Sequence, residues 1–265
     1  MDAELSNPYR QEIQHAVNLL LKTHYAIVLT GAGISTESGI PDFRGSGGIW
    51  DQFSPTIYGN IRSFRKSPQL FWKMAKQIAP ALLQARPNPG HYALAEFEKL
   101  NLIQCIITKN IDGLHQQAGS RCVYEVHGSL RRFNCMDCTS SYPQEYVVSR
   151  ILTGMIPKCN KCGSYLKPDV VLFGESLPID QIQKSLKQAH QADLILVAGS
   201  ALEVSPVNIL PTIVLEKGGK LIIVNDTSTW LDDKAEIIIH HKTGIILPKI
   251  LEEVKNQQDL RISTE

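Results

Sequence analysis

Four cysteines stand in two Cys-x-x-Cys pairs that could together hold a metal ion. The pairs are Cys135 with Cys138 and Cys159 with Cys162, and twenty residues lie between them. This spacing is typical of zinc ribbons, in which two turns bring four thiolates to ~2.3 Å from one Zn²⁺. Four thiolates leave no position for water or substrate, so we expect one structural zinc ion. A redox-active Cys-x-x-Cys motif is the alternative.

The sequence contains six cysteines in all, and six could also form three disulfides. A chain of this length can bury a sufficient core without disulfides, and a reducing compartment favours metal binding instead. Cys105 lies in an apolar run, where we expect a small core residue. Cys122 follows a short polar stretch, residues 119–121, and is expected to be an inert free thiol.

A glycine turn, Gly31-Ala32-Gly33, follows a short apolar run and could bind a nucleotide. Glycines let a backbone approach a pyrophosphate, and the helix that follows would present its N–H groups. The third position of the dinucleotide-binding fingerprint is Thr36 here, so a generic strand–turn–helix is an equal alternative.

The turn continues into a longer segment, GAGISTESGIPDFRG, that is poorly suited to a hydrophobic core. It contains the charged residues Asp42 and Arg44 on either side of Phe43. Such a loop is suited to fold over a ligand, with Arg44 binding a phosphate.

Polar side chains follow a second apolar run, at residues 108–115. Residues just past the carboxyl ends of strands face the ligand crevice of an open α/β sheet, so Asn110 and Asp112 would point at a sugar. An Asx turn that caps the next helix is the alternative. His127 ends another short strand and could be a general base near neutral pH, although a purely structural histidine is the alternative.

Five apolar runs must position these side chains. They are YAIVLT (25–30), LIQCIIT (102–108), DLILVA (193–198), KLIIVN (220–225) and EIIIH (236–240). Amphipathic stretches separate several of the runs. Continuous apolar strands that alternate with helices predict an α/β fold, a Rossmann-like parallel sheet with helices on both faces.

Two stretches interrupt this alternation, one rich in Gly, Pro and aromatics and one containing the four paired cysteines. We expect them to pack together as a smaller second domain, with a ligand cleft between the two lobes. The predicted division is a discontinuous Rossmann-like domain of residues 8–44, 90–127 and 169–255, a helical module of 45–89 and a zinc-ribbon module of 128–168.

Composition excludes several classes of protein. Hydrophobic residues make up 43% of the 265 residues and charged residues 20%, which is ordinary for a globular chain and excludes a disordered one. The net charge of +1 provides no basic field for a nucleic acid backbone, so we expect no direct nucleic acid partner. No signal peptide and no membrane-spanning run is visible, and a cytoplasmic location is expected.

Seven sequence blocks together resemble one family. They are GAGISTESGIPDFRG, TKNIDGLHQQAG, EVHGS, the two Cys-x-x-Cys pairs, VVLFGESLP, GSALEVSP and IIVN. In this order and spacing they resemble the sirtuins, the Sir2-type NAD-dependent protein deacylases, over about residues 10–250. The resemblance implies a Rossmann-like domain and a small domain made of a zinc ribbon and a helical module. NAD and an acyl-lysine peptide would enter the cleft between them.

The resemblance also implies roles for individual residues. His127 is expected to be the catalytic base, with Asn110 and Asp112 as further catalytic residues. The residues expected to bind NAD are Gly31, Ala32, Gly33, Asp42, Phe43, Arg44, Lys109, Asn110, Ile111, Asp112, Gly199, Ser200 and Asn225. Those expected to pair with the substrate peptide are Val171, Phe173, Gly174, Glu175 and Val204.

The implied reaction consumes NAD as a co-substrate. The acyl oxygen attacks the nicotinamide ribose, nicotinamide leaves, and His127 then activates a ribose hydroxyl. Free lysine, nicotinamide and O-acyl-ADP-ribose are the expected products. Mono-ADP-ribosyl transfer or NAD hydrolysis at the same site is one alternative, and a non-catalytic NAD-sensing module is another.

Three departures from the family pattern bear on activity. Lys109 stands where the family usually has Gln, and Ala201 stands where Ser or Thr is common. The Tyr-x-x-Arg motif of the desuccinylase subgroup is missing from residues 72–79. We therefore expect a neutral acyl group, acetyl first.

Overall fold

The computed structural model describes residues 8–43 and 48–262. Its strands are β1 (Ala26–Thr30), β2 (Cys105–Thr108), β3 (Val123–Glu125), β4 (Gly128–Cys135), β5 (Ser141–Pro143), β6 (Leu166–Val170), β7 (Leu194–Ala198), β8 (Lys220–Val224) and β9 (Ile237–Ile239). Its α-helices are α1 (Arg10–Lys22), α2 (Ile49–Gln52), α3 (Pro55–Tyr58), α4 (Ile61–Lys66), α5 (Pro68–Gln84), α6 (Pro89–Lys99), α7 (Leu114–Gln117), α8 (Gln144–Leu152), α9 (Ile179–Gln191), α10 (Leu210–Glu216) and α11 (Thr243–Ile262). Within those described ranges, no helix has the length and apolar character needed to cross a bilayer.

Six strands form one parallel sheet in the order β3-β2-β1-β7-β8-β9. From β1 the chain first builds outward through β2 and β3, and it later returns to build β7, β8 and β9 on the other side. The strand order therefore reverses between β1 and β7. In an open α/β sheet such a reversal leaves a crevice at the carboxyl ends of the two strands.

Strand β1 shows why the sheet is covered on both faces. All five of its residues are buried. Ala26 and Val28 pack into a cluster with residues of α1, α6 and α11, whereas Ile27 and Leu29 pack into a second cluster with residues of α9 and α10. Side chains alternate across a strand, so a strand buried on both faces is apolar over most of its length, and the one polar residue of β1, Thr30, donates a hydrogen bond to Thr108 Oγ1. The predicted Rossmann-like α/β fold is confirmed.

The smaller lobe combines the two segments that interrupt the alternation. Strands β5, β4 and β6 form an antiparallel sheet beside α8, and α2 to α5 form a helical layer. Phe64 and Trp72 of the helices share one core with Phe133 and Leu166 of the antiparallel sheet. The Trp72 and Phe133 rings stack with their centroids 6.1 Å apart. The domain boundaries given above stay a prediction.

Candidate active site

The loops that follow β1, β2 and β7 meet at the carboxyl edge of the sheet. Gly31 N–H donates to the Ala198 carbonyl at 3.4 Å, and Lys109 N–H donates to the Thr30 carbonyl at 3.0 Å. A Cβ at Gly33 would lie 2.9 Å from Gly199 Cα, so these two backbones touch. Packing alone therefore explains a glycine at position 33. The same contact places the glycine turn at the point where the strand order reverses.

The residues that follow β7 and β8 lie next to this turn. A Cβ at Gly31 would lie 3.0 Å from Ser200 Cβ and 3.2 Å from Lys109 Cε, so both side chains border the turn. Asn225 follows β8, where its Nδ2 donates to the Thr227 carbonyl at 2.7 Å. These predicted nucleotide-binding residues come from the four loops after β1, β2, β7 and β8, at the carboxyl edge of the parallel sheet.

A buried hydrogen-bond network connects the glycine turn to the loop after β2. The Ser35 hydroxyl donates to Asp112 Oδ2 at 2.7 Å, and Asn110 Nδ2 donates to Ser35 Oγ at 3.1 Å. Burial raises the pKa of Asp112, and hydrogen bonds from Leu114 N–H and the Ser35 hydroxyl oppose that rise. Asp112 also accepts a hydrogen bond from Leu114 N–H at the start of α7. It therefore forms the Asx turn given above as the alternative and belongs to the buried network as well.

The sequence analysis did not single out Ser35 or His91 as site residues. His91 Nε2 lies 3.5 Å from Ser35 Oγ, and His91 is fully buried. The His91 Nδ1 atom accepts Asn88 N–H as part of a capping box at the start of α6. The sequence Asn-Pro-Gly before His91 indicates that this histidine lies at a helix start. Nothing in the sequence indicates which loop its side chain contacts.

His127 lies at the mouth of the crevice, between the two sheets. Its Nδ1 is 3.1 Å from the Lys109 carbonyl oxygen. A carbonyl can only accept, so Nδ1 carries the proton and Nε2 keeps a free lone pair in the neutral ring. Burial lowers the pKa of His127, and the bond to the Lys109 carbonyl opposes that shift. The neutral, proton-accepting form therefore predominates at pH 7.

Phe43 is the last described residue before residues 44–47, in the loop predicted to fold over the ligand. Its ring is 5.5 Å from the Trp50 ring, and its carbonyl accepts Trp50 N–H at 3.0 Å. The carbonyl of Asp42 accepts Ile49 N–H at 3.0 Å. The two ends of the loop are therefore held together by α2. The expectation for Arg44 lies outside the described residues.

The five residues expected to pair with a peptide follow β6 or β7. Val171 N–H donates to the His127 carbonyl, which ties this segment to the crevice. Phe173 N–H donates to the Gly59 carbonyl and its carbonyl accepts Ile61 N–H. Backbone pairing of Phe173 with a peptide would have to replace these bonds. The remaining members lie beside it or in the loop after β7: Gly174 is exposed, and Glu175 and Val204 are partly exposed.

The four paired cysteines come together in the small lobe. Their sulfur atoms all lie within 4.8 Å of one another, and Cys135 to Cys162 is 3.4 Å while Cys138 to Cys159 is 3.6 Å. A tetrahedron with metal–sulfur bonds of ~2.3 Å has edges of about 3.8 Å. The donor set and its size therefore fit a zinc ion. All six cysteines lie in described segments and are free thiols, so the disulfide alternative is wrong.

Comparisons with known proteins agree with this geometry. The profile of the Sir2 family matches residues 31–206. An "NAD-dependent protein deacetylase" of Sulfurisphaera tokodaii is 48% identical over 241 residues, which cover 91% of this chain and 95% of that protein.

Solved structures give the same result. One described as a structural basis for the mechanism and regulation of Sir2 enzymes superposes with a TM-score of 0.88 at 44% identity, covering 93% of this chain and 99% of that one. A Sir2 variant with a deacetylated p53 peptide and 3′-O-acetyl ADP ribose has a TM-score of 0.87 at 38% identity, covering 91% of this chain and 98% of its own.

Proposed function

The chain belongs to the Sir2 family, and from that premise we propose how its own residues remove an acyl group from protein lysine with NAD as co-substrate. The products are free lysine, nicotinamide and O-acyl-ADP-ribose. The observation that carries the proposal is the bond from His127 Nδ1–H to the Lys109 carbonyl. It leaves Nε2 as a base at the crevice where the family places the reacting sugar.

His127 has the role of general base. In this proposal its Nε2 takes a proton from a ribose hydroxyl, and the resulting imidazolium stays hydrogen-bonded to the Lys109 carbonyl. A positioned base of this kind contributes about 10²–10⁴-fold in rate. The Lys109 carbonyl is therefore a positioning group for the His127 ring. Although Lys109 stands where the family usually has Gln, its backbone matters more to the base than its side chain does.

Asn110 and Asp112 hold the nicotinamide end of NAD. The Ser35 hydroxyl donates to Asp112 and accepts from Asn110, so both side chains have one orientation before substrate arrives. Preorganised groups lose little entropy when the substrate binds. Phe43, half-buried against Trp50, would cover the reacting carbon and exclude water.

Backbone and small side chains hold the rest of the co-substrate. In this proposal the pyrophosphate lies against the turn formed by Gly31, Ala32 and Gly33, and Ser200 and Asn225 lie at the same edge for the adenosine side. The peptide would lie along Val171 to Glu175 and against Val204. The zinc ion would be held by Cys135, Cys138, Cys159 and Cys162 and would stabilise the small lobe.

The acyl group is proposed to be neutral, with acetyl preferred. Trp72 and Met74 of α5 are buried in the small-lobe core, while Lys73 and Lys76 are exposed. No cation of this stretch therefore faces the interior to pair with an acidic acyl group. We also propose a cytoplasmic location, since a reducing compartment would keep the four paired cysteines available for zinc and the other two as thiols.

The test is a peptide assay with NAD labelled in nicotinamide. We expect an acetyl-lysine peptide to be deacetylated, a succinyl peptide to react far more slowly, and His127→Ala to lose about 10²–10⁴-fold in kcat. The exposed His190 provides a matched control, since His190→Ala should keep full activity.

Two outcomes would contradict the proposal. Normal deacetylation by the His127→Ala variant would show that His127 is not the general base. Nicotinamide release at the same rate with and without peptide would favour NAD hydrolysis or ADP-ribosyl transfer instead.

A further inference from the structure

Two cysteines outside the metal cluster lie side by side on neighbouring strands. Ile106 of β2 pairs with Val123 of β3, and Ile106 N–H donates to the Cys122 carbonyl at 2.9 Å. Cys105 and Cys122 each stand one residue before this pair, so they occupy the next rung of the same ladder. Both thiols pack against the core cluster on the α9 side of the sheet. Cys105 is a buried core residue, as expected, and Cys122 is a partly exposed free cysteine.

The spacing of the two residues suits a disulfide. Neighbouring strands lie about 4.8 Å apart, and disulfide-bonded cysteines have Cα atoms about 4.4–6.8 Å apart. Registered side chains of parallel strands leave the sheet on the same face. The Cys105 and Cys122 side chains therefore lie on the same side of the sheet, where both pack against one core cluster.

The environments of the two sulfurs differ. Cys105 is fully buried, with Gln188 Oε1 3.7 Å from its sulfur, whereas Cys122 is partly exposed. The neighbouring Cys105 thiol lowers the pKa of Cys122 to about 6, with a further lowering by the Tyr124 hydroxyl, while burial and the Glu98 carboxylate oppose the shift. Cys122 is thus the accessible thiolate, and Cys105 is the protected thiol behind it.

The backbone around Cys122 is held in place. The two Glu98 carboxylate oxygens accept Cys122 N–H at 2.7 Å and Arg121 N–H at 2.8 Å. Tyr25 hydroxyl donates to Gln188 Oε1 at 2.6 Å, which orients the side chain above Cys105. The register of β2 and β3 therefore holds Cys105 and Cys122 at neighbouring positions whose separation suits a disulfide.

We propose that Cys105 and Cys122 form a redox-active dithiol that a peroxide converts into a disulfide linking β2 to β3. The Cys122 thiolate attacks one peroxide oxygen, the O–O bond breaks, and the departing oxygen takes up a proton as water or an alcohol. Cys122, oxidised by two electrons, is then a sulfenic acid. The Cys105 sulfur displaces its hydroxyl group, which leaves as water with the Cys105 proton. Two thiols and one peroxide yield one disulfide.

The consequence is a covalent ring around part of the site. The chain from Cys105 to Cys122 includes Asn110 and Asp112, so the bond closes a loop that carries these two side chains. A ring of this size is expected to raise the unfolding temperature by roughly 5–10 °C, because it restricts the unfolded chain.

The experiment treats the zinc-loaded protein with one equivalent of hydrogen peroxide, alkylates the remaining thiols and digests with trypsin without reductant. Residues 100–109 carry Cys105 and residues 122–131 carry Cys122. We expect these two peptides to appear joined, to separate on reduction, and to form while the zinc content stays constant. The unfolding temperature should rise with the yield of joined peptide.

Two variants isolate the steps. Cys122→Ser should give neither the joined peptide nor the rise in unfolding temperature. Cys105→Ala should leave a sulfenic acid on Cys122 that dimedone labels. Oxidation confined to the four zinc ligands with release of zinc would overturn the proposal. So would a wild-type Cys122 that becomes a sulfenic or sulfonic acid while Cys105 remains alkylated.

Discussion

His127 can act as a base only in one tautomer, and a backbone carbonyl selects that tautomer. The Lys109 carbonyl holds the proton on Nδ1, and burial lowers the pKa of the ring. Two further histidines, His91 and His115, are fully buried with ring centroids 4.9 Å apart. Burial lowers the pKa of His91 to about 4 and that of His115 well below its ordinary value. Both rings therefore stay neutral near pH 7.

The pH dependence of kcat/KM should report His127. A base works when unprotonated, so activity rises as pH rises through its pKa, and the lowered pKa places this acid limb below 6.5. A limb centred above pH 6.5 would contradict this assignment.

Unfolding must be followed over the same pH range as a control. His91 takes up a proton near 6.5 in the unfolded chain and only near 4 in the folded one. Stability therefore falls as pH drops from about 6.5 towards 4. Circular dichroism reports this loss of fold, so it can be distinguished from the loss of activity caused by protonation of His127.

At the scale of elements, the ends of β1 and β7 touch through glycine backbones. Gly199 has a φ of 63°, and a Cβ there would lie 2.2 Å from Ile34 N. Gly218 has a comparable φ of 81°, but a Cβ there would meet nothing within 4 Å. Gly199 thus adopts this backbone conformation inside the crevice, whereas Gly218 adopts it in an open turn.

This pair of glycines gives a prediction for stability. Gly199→Ala combines left-handed strain with a clash and should cost about 3 kcal/mol or more. Gly218→Ala carries the strain alone and should cost about 1 kcal/mol. Urea denaturation measures both. Equal losses would show that the turn does not pack as tightly as the structure has it.

At the scale of the whole molecule, the helical layer and the zinc ribbon depend on each other. Cys135 and Cys159 belong to the same core cluster as Trp72 and Phe133. A ribbon without metal would lose the four-thiolate centre that supports one side of this core. The helical layer should therefore unfold with the ribbon, since zinc binding and folding are coupled.

Substitution of a metal ligand tests this coupling. Cys135→Ser should lower zinc content and unfolding temperature together and should also disturb the fluorescence of Trp72, which lies outside the ribbon. Cys122→Ser is the matched control, because it removes a thiol outside the metal cluster and should retain the zinc. A Cys135→Ser protein of unchanged stability would refute a structural zinc.

Much of the architecture could be predicted from local pattern. Five continuous apolar runs indicated five strands of the large sheet, because a strand buried on both faces is apolar over most of its length. The short helices α2 to α4 and the strands of the small lobe were not assigned in detail. Their positions depend on a shared aromatic core and a metal cluster, neither of which leaves a periodic signal in sequence.

The sequence by itself indicated the four-cysteine set, five strands of the large sheet and the family, since each depends on residue type and spacing along the chain. Only the tertiary structure decided which distant residues meet. Ser35 contacts His91 across 56 positions, and Phe173 pairs with a segment more than a hundred residues before it. Cys105 faces Cys122 because two parallel strands align in one register. Register and loop packing arise from the folded chain as a whole, so no local pattern specifies them.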